Sequence, residues 1–381
     1  METEGIFMAD CFEYLDWRGD LSFAADPFNE IDGMLLSRIS YMPFELIGES
    51  GAITVGEACE KFLTIPDIEE KLLVKGDMKL IEHMAKSPRF GNLKIINYEN
   101  RREEASETQF AAVTFPLGNL RYYVAFRGTD ETIVGWKEDF NMSFTTPVPA
   151  QEMAVGYFEN IASRLRGKFI LGGHSKGGNL AVYAGAFCSP RLRAKIMSVQ
   201  NFDGPGFDSK VFQTPGYRAI LPRISTYIPQ SSIIGMLLDH KEEYKVVKSR
   251  SVGIFQHDTY SWELLRNRFV YVDTVSDSSK FIDDALKEWL VSVTPETREL
   301  LVDTLYEIFN EMNVKTVKEL GENWLINAAS AVRAIRNIDP ETRKTLNVAL
   351  RALAKVAKKV YDENRTGKEI EKTEGKDNEK N

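Results

Sequence analysis

The chain has 381 residues, 43% hydrophobic, 11% aromatic and 27% charged, with 26 Gly and 14 Pro, proportions that exclude collagen-like, low-complexity and wholly disordered readings. Its net charge of −8 argues against a nucleic-acid binder, and no apolar run reaches the roughly 18 residues that a membrane span needs. The first 17 residues interleave Glu4, Asp10, Glu13 and Asp16 with apolar side chains, so they lack the apolar core of a signal peptide. Cys11, Cys59 and Cys188 are odd in number, far apart and without metal-type spacing, and a cytoplasmic, reduced protein is expected.

In chain order, residues 30–40 place Ile31, Met34, Leu35 and Ile39 on one helical stripe, and residues 77–86 predict a second helix closed by Pro88. The period then changes. Residues 93–98, 109–115 and 120–126 are strand-like, with Pro116-Leu117-Gly118-Asn119 supplying turn residues between the last two. A helix over 151–166, a strand over 168–172, a small-residue helix over 177–187 and strands over 196–202 and 224–228 follow. Strands alternating with helices predict an α/β fold with a mainly parallel sheet and helices on both faces.

Beyond Ser276 the pattern is helical throughout. Thr294-Pro295 and Asp339-Pro340 each place a capping residue before a first-turn proline, and both are followed by Glu-Thr-Arg. Leu300, Leu301, Leu305, Ile308, Phe309 and Met312 form one apolar stripe, and Leu346, Leu350, Leu353, Val356 and Val360 another. Such stripes need a partner: each other, the preceding domain, another protein or a second copy. The expected organisation is an α/β domain over 1–275 with a helical N-terminal segment, a C-terminal all-helical extension over 276–365, and a disordered charged tail over 366–381.

The chemistry centres on Gly173-His174-Ser175-Lys176-Gly177. A strand runs into this G-x-S-x-G and a small-residue helix leaves it, so the serine is expected at a tight strand-to-helix turn with its hydroxyl exposed. The helix start also aims amides at the place where an oxyanion would develop.

A serine needs a base. Of the four histidines, His83 lies upstream on an amphipathic helix, and His174, inside the motif, is expected to point away from the serine hydroxyl. His257 and His240 are left, and His257 is favoured because it follows a strand-like 252–255 and opens a polar turn. For the acid, Asp203 stands at the end of the strand after the elbow helix, with Asp239 as the alternative and Asp258 also open. Asp203 before Gly204-Pro205-Gly206 could equally cap a turn. Residues 123–130 (YVAFRGTD) put Thr129 at an earlier strand end, where its amide and hydroxyl could face an oxyanion opposite the Lys176 amide. No metal or organic cofactor is expected.

These motifs resemble the class 3 (fungal-type) lipases of the α/β-hydrolase superfamily. More closely, the chain is similar to a family of bacterial lipase-like proteins marked by Gly-His-Ser-Lys-Gly-Gly, Asp-Gly-Pro-Gly-Phe and Gln-His-Asp. The resemblance covers about residues 28–272 and implies Ser175 as nucleophile, His257 as base and Thr129 in the oxyanion hole. Two departures stand out. Where class 3 lipases carry their acid, this chain has Pro229-Gln230-Ser231-Ser232, and Asp203 instead resembles the acid position of pancreatic-type lipases. Lys176 replaces the usual leucine and would bring positive charge beside the site or pair with a carboxylate of the fold.

The sequence therefore reads as a serine esterase acting on a small acyl ester, with residues 130–150 as a candidate lid and Ser175 Oγ expected within about 3–4 Å of His257. The competing reading is a hydrolase fold without activity that engages a protein partner through its C-terminal helices.

Overall fold

The computed structural model describes residues 9–48, 53–103, 108–129 and 147–276, with isolated positions at 142, 294, 340, 343, 344, 347 and 351. The chain divides into two compact units, Met1–Val275 and Ser276–Asn381. The expected helical extension and charged tail fall almost wholly outside the described residues, as does the candidate lid apart from Met142 and residues 147–150. No helix among the described residues is long and apolar enough to cross a membrane.

The N-terminal helices that come first include α1 (Cys11–Arg18), α2 (Glu30–Ile39), α3 (Val55–Leu63) and α4 (Lys75–Lys86). Local chemistry starts the first three. Asp10, Asn29 and Thr54 each accept a first-turn amide, and the acid three residues on reaches back to the cap amide. Helix α2 is buried from Ile31 to Ile39. It carries Arg38 into the interior, where the guanidinium meets Asp77 of α4 at 2.6 Å.

An eight-stranded sheet follows, in the order β1 (Ile96–Glu103), β2 (Thr108–Gly118), β3 (Arg121–Phe126), β4 (Lys168–His174), β5 (Ile196–Phe202), β6 (Ile224–Pro229), β7 (Tyr244–Val247) and, past the two-residue hairpin strands β8 (Leu264–Leu265) and β9 (Arg268–Phe269), β10 (Tyr271–Val272). Strands β3 to β7 are parallel, and the antiparallel pairs are β1–β2, β2–β3 and β7–β10.

The strand order advances in one direction from β3 to β7. Right-handed crossovers that never reverse direction must all fall on one face of the sheet. Accordingly α5 (Pro149–Arg164), α6 (Lys176–Phe187) and the segment after β5 share one core with Val124, Phe126, Phe169, Leu171 and Val199. The opposite face carries the alternate side chains, Tyr123 and Ala125 among them, and is covered by the N-terminal helices. Helices on both faces were expected, and the topology explains why the second layer comes from a segment preceding the sheet. Tyr123 joins the layers directly: its hydroxyl donates to the Gly33 carbonyl and lies 2.8 Å from Ser37 Oγ, both on α2.

Several boundaries move by one to three residues from the sequence expectation, and β2 runs on through Pro116 to Gly118, residues expected in the turn. Strand β1 begins three residues later than predicted and runs on through polar Glu99 to Glu103, because pairing with β2 outweighs the polar sequence on this edge strand. Residues 253–257, read as the end of a strand with a polar turn to follow, form a 3-10 turn. Gly253 has φ +55°, and the apolar side chains of Val252 and Phe255 stay exposed, so no sheet face is there to bury them.

Candidate functional site

The C-terminal ends of the parallel strands gather the predicted residues. Register pairs Phe126 with Gly173, His174 with Phe202, and Phe202 with Tyr227. The residues that follow each strand therefore lie side by side: Arg127-Gly128-Thr129, His174-Ser175, Asp203 and Gln230 to Ser232.

Ser175 sits at the start of α6 with φ +58° and ψ −135°, a region that side-chain-bearing residues rarely enter. It is half-buried while its neighbours in sequence are buried. The glycines around it are required by crowding. A Cβ on Gly173 would lie 2.2 Å from the Gly177 carbonyl carbon and 2.6 Å from the Phe126 oxygen, and one on Gly177 would lie 2.1 Å from that same oxygen. All of these contacts are backbone and cannot swing aside. Gly173→Ala is expected to cost more than about 4 kcal/mol or to prevent folding, read by urea denaturation. Gly156→Ala on α5 has no atom within 4 Å of its new Cβ and should stabilise by about 0.5–1 kcal/mol.

Asp203 is fully buried at the end of β5 with φ +53°. Its Oδ2 accepts from His257 Nδ1 at 2.6 Å. Its Oδ1 accepts from Ser232 Oγ at 2.5 Å and from the Gly235 amide at 3.2 Å. Three donors converge on one carboxylate. Gly204 follows because a Cβ there would lie 2.4 Å from the Ser175 carbonyl oxygen. Asn179 of α6 holds the same turn by donating to the Pro205 and Gly206 carbonyls. The Asp-Gly-Pro-Gly segment is thus a turn packed against the elbow, with its acid aimed at an imidazole.

The tautomer of His257 that gives Nδ1–H to Asp203 has its lone pair on Nε2. No hydrogen bond joins Ser175 Oγ to His257 in this structure; the flanking His174 ring lies 4.4 Å from the His257 ring, centroid to centroid. Catalytic hydrogen bonds commonly tighten only when substrate is bound.

Thr129 follows Gly128, whose Cα hydrogens face the elbow: a Cβ there would stand 3.1 Å from Ser175 Cβ. Lys176 is the first residue of α6, which leaves its amide outside the helical ladder. The side chain is buried and donates to the Gln109 carbonyl on β2 at 3.2 Å, because α6 is enclosed along almost its whole length.

The alternatives lie elsewhere. His240 Nε2 donates to the Gly235 carbonyl at 2.7 Å and its Nδ1 lies 2.9 Å from Glu242. Burial alone would raise the Glu242 carboxyl, but the hydrogen bond and charge of His240, with Thr226, hold it at about 2. His240 therefore braces the loop whose Gly235 amide reaches Asp203. Asp239 is exposed and its backbone bridges Phe207. Asp258 caps the turn that follows it by accepting from the Tyr260 amide. His83 pairs with Asp16 at 3.2 Å on the outer helices.

Burial pushes the Cys59 thiol up to about 12 and Cys188 up to about 11, and it raises Cys11 as well, so none supplies a thiolate at neutral pH. Among the described residues, no group of His, Cys, Asp and Glu has the arrangement of a metal site.

Two participants escaped sequence reasoning. Ser232, in the segment that follows β6, donates to the Asp203 carboxylate at the end of the neighbouring strand β5. His174 is engaged on both ring nitrogens, by Tyr41 and by the His257 carbonyl.

A mainly parallel sheet with crossover helices, and a serine at a strained bend between a strand and a helix, define an α/β-hydrolase fold of the lipase-like type. The chain belongs to the Mbeg1-like family, whose family model matches residues 84–307. Among solved structures it is similar to Rhizomucor miehei lipase in its propeptide complex, at 13% identity over 64% of this chain and 71% of that one, with TM-score 0.37. It is also similar to a fungal lipase–inhibitor complex (14% identity, 65% and 84% covered, TM-score 0.37) and to M37 lipase (14% identity, 54% and 69% covered, TM-score 0.34). Comparison with curated protein sequences gives no match.

Proposed function

We propose that the protein is a serine hydrolase that cleaves a carboxylic ester of a small acyl substrate through an acyl-enzyme. The observation that carries this reading is the 2.6 Å bond from His257 Nδ1 to a fully buried Asp203, formed beside the strained Ser175 bend. In this reading Ser175 Oγ attacks the ester carbonyl and passes its proton to His257 Nε2. Asp203 holds the Nδ1 proton and stabilises the imidazolium. The oxyanion accepts from the amides of Lys176 and Thr129. His257 returns the proton to the departing alkoxide, then takes one from the water that splits the acyl-enzyme.

The test is a panel of p-nitrophenyl esters of graded acyl length. Saturable release of p-nitrophenolate is expected, arrested by one equivalent of a fluorophosphonate. Absence of turnover across the whole panel would count against the reading.

A further inference from the structure

His174 is buried, 4% exposed, directly beneath the residue proposed as base. Its Nε2 donates to the His257 carbonyl at 2.8 Å. That requires the proton on Nε2, so Nδ1 is the acceptor, and the Tyr41 hydroxyl supplies the donor at 3.1 Å while also lying 3.2 Å from the His174 carbonyl. Burial, with the His257 ring and Arg38 nearby, keeps the imidazole far below its usual range and therefore neutral, although the bond to the His257 carbonyl acts the other way.

Tyr41 is itself held in place. The Arg38 guanidinium lies over its ring at 4.6 Å and over the Tyr260 ring at 4.9 Å. Asp77 accepts from Arg38 and from the Tyr260 hydroxyl, both at 2.6 Å. The loop carrying His257 is thus gripped twice from below, at the His257 carbonyl and at Tyr260. Arg38, Tyr41 and Asp77 all precede the segment matched by the family model.

We infer that His174 is a positioning residue for His257, and that Tyr41 fixes the His174 tautomer, so that the N-terminal helical layer sets the orientation of the base. This rests on the hydrolase reading for its kinetic consequence only; the geometry can be read independently. A side chain that merely filled space at 174 would not need a donor at the Nε2 position.

The test compares His174→Phe, which keeps a ring and loses the donor, with His174→Gln, which restores an amide N–H near the Nε2 position. Tyr41→Phe, which keeps the ring under Arg38, is the gentlest change and the one best able to fold. With a short-chain p-nitrophenyl ester, His174→Phe is expected to lower kcat about 30-fold with KM within about twofold, as a small misplacement of a catalytic group does. His174→Gln should recover to within about fivefold of the parent, and Tyr41→Phe should fall about 3–10-fold.

The low-field proton resonance of His257 Nδ1–H, assigned by its loss in His257→Ala, gives a reading independent of turnover. It should shift or broaden in His174→Phe and Tyr41→Phe and return in His174→Gln. Equal kcat in parent and folded Tyr41→Phe and His174→Phe, an unmoved resonance, or equal impairment of the Gln and Phe variants would overturn the inference. A parent that hydrolyses no ester would instead overturn the proposed function and leave the resonance to decide this point.

Discussion

Replacing Ser175 with alanine is expected to lower ester turnover by about 10⁶-fold, the scale on which removing a serine nucleophile acts in other hydrolases. The fold should not suffer. Alanine keeps the Cβ, and the Ser175 hydroxyl makes no hydrogen bond to a cap or to His257 whose loss would unsettle the turn. The bend itself is strained at φ +58° and ψ −135°, and alanine inherits that strain. Ser175→Gly should therefore be equally inactive and more stable than Ser175→Ala by about 1 kcal/mol. Steady-state hydrolysis together with thermal melts of the three proteins checks both halves. Turnover retained in either variant would remove Ser175 from the chemistry, and a glycine variant less stable than the alanine variant would contradict the strain.

Asp203→Asn is expected to reduce kcat by about 10³–10⁴-fold, whereas Asp239→Asn should change it by less than about threefold. The reason is the donor arrangement. The buried carboxylate faces His257 Nδ1–H on one oxygen and two donors, Ser232 Oγ and the Gly235 amide, on the other. An asparagine must turn its NH₂ toward one side or the other. Facing Ser232 and Gly235, it opposes donor to donor. Facing His257, it drives the imidazole into the tautomer with the proton on Nε2, which can no longer accept from serine. Asp239 is exposed and makes no bond to His257. Purified variants assayed at saturating ester give the ratio directly, and the opposite order of losses would refute Asp203 as the acid.

Local features were legible in the sequence where a short stretch determined its own geometry. The elbow could be read because strand periodicity, a pair of glycines on either side of the serine and a small-residue helix all occur within about twenty residues, and the crowding at Gly173 and Gly177 is a property of that stretch and its neighbouring strand. Helix α2 was legible from its stripe, and its capping by Asn29 and Asp32 is equally local. What sequence could not reach depended on segments that meet only after folding. Ser232 lies 29 residues from Asp203, and Tyr41 lies 133 residues from His174. A serine or tyrosine carries no signal of a carboxylate or imidazole that it will meet at such separations.

Lys176 shows the limit from the other side. Its sequence position suggested a charge beside the elbow, but whether a side chain at a helix start is buried depends on what packs over it, and here the side chain is buried with its ammonium on a β2 carbonyl. The turn at 253–257 misled for a related reason: Val252 and Phe255 have strand-like side chains but no sheet face to bury them. Apolar character locates a strand only when a partner is available to cover it.

The central claim, that Ser175 is made nucleophilic by the His257–Asp203 pair, is tested most directly by mapping where a fluorophosphonate attaches. Intact mass followed by peptide sequencing should find one adduct per chain, on Ser175, and none when His257 is replaced by alanine. An adduct on another residue, or an unmodified Ser175 in folded protein exposed to excess reagent, would contradict the account.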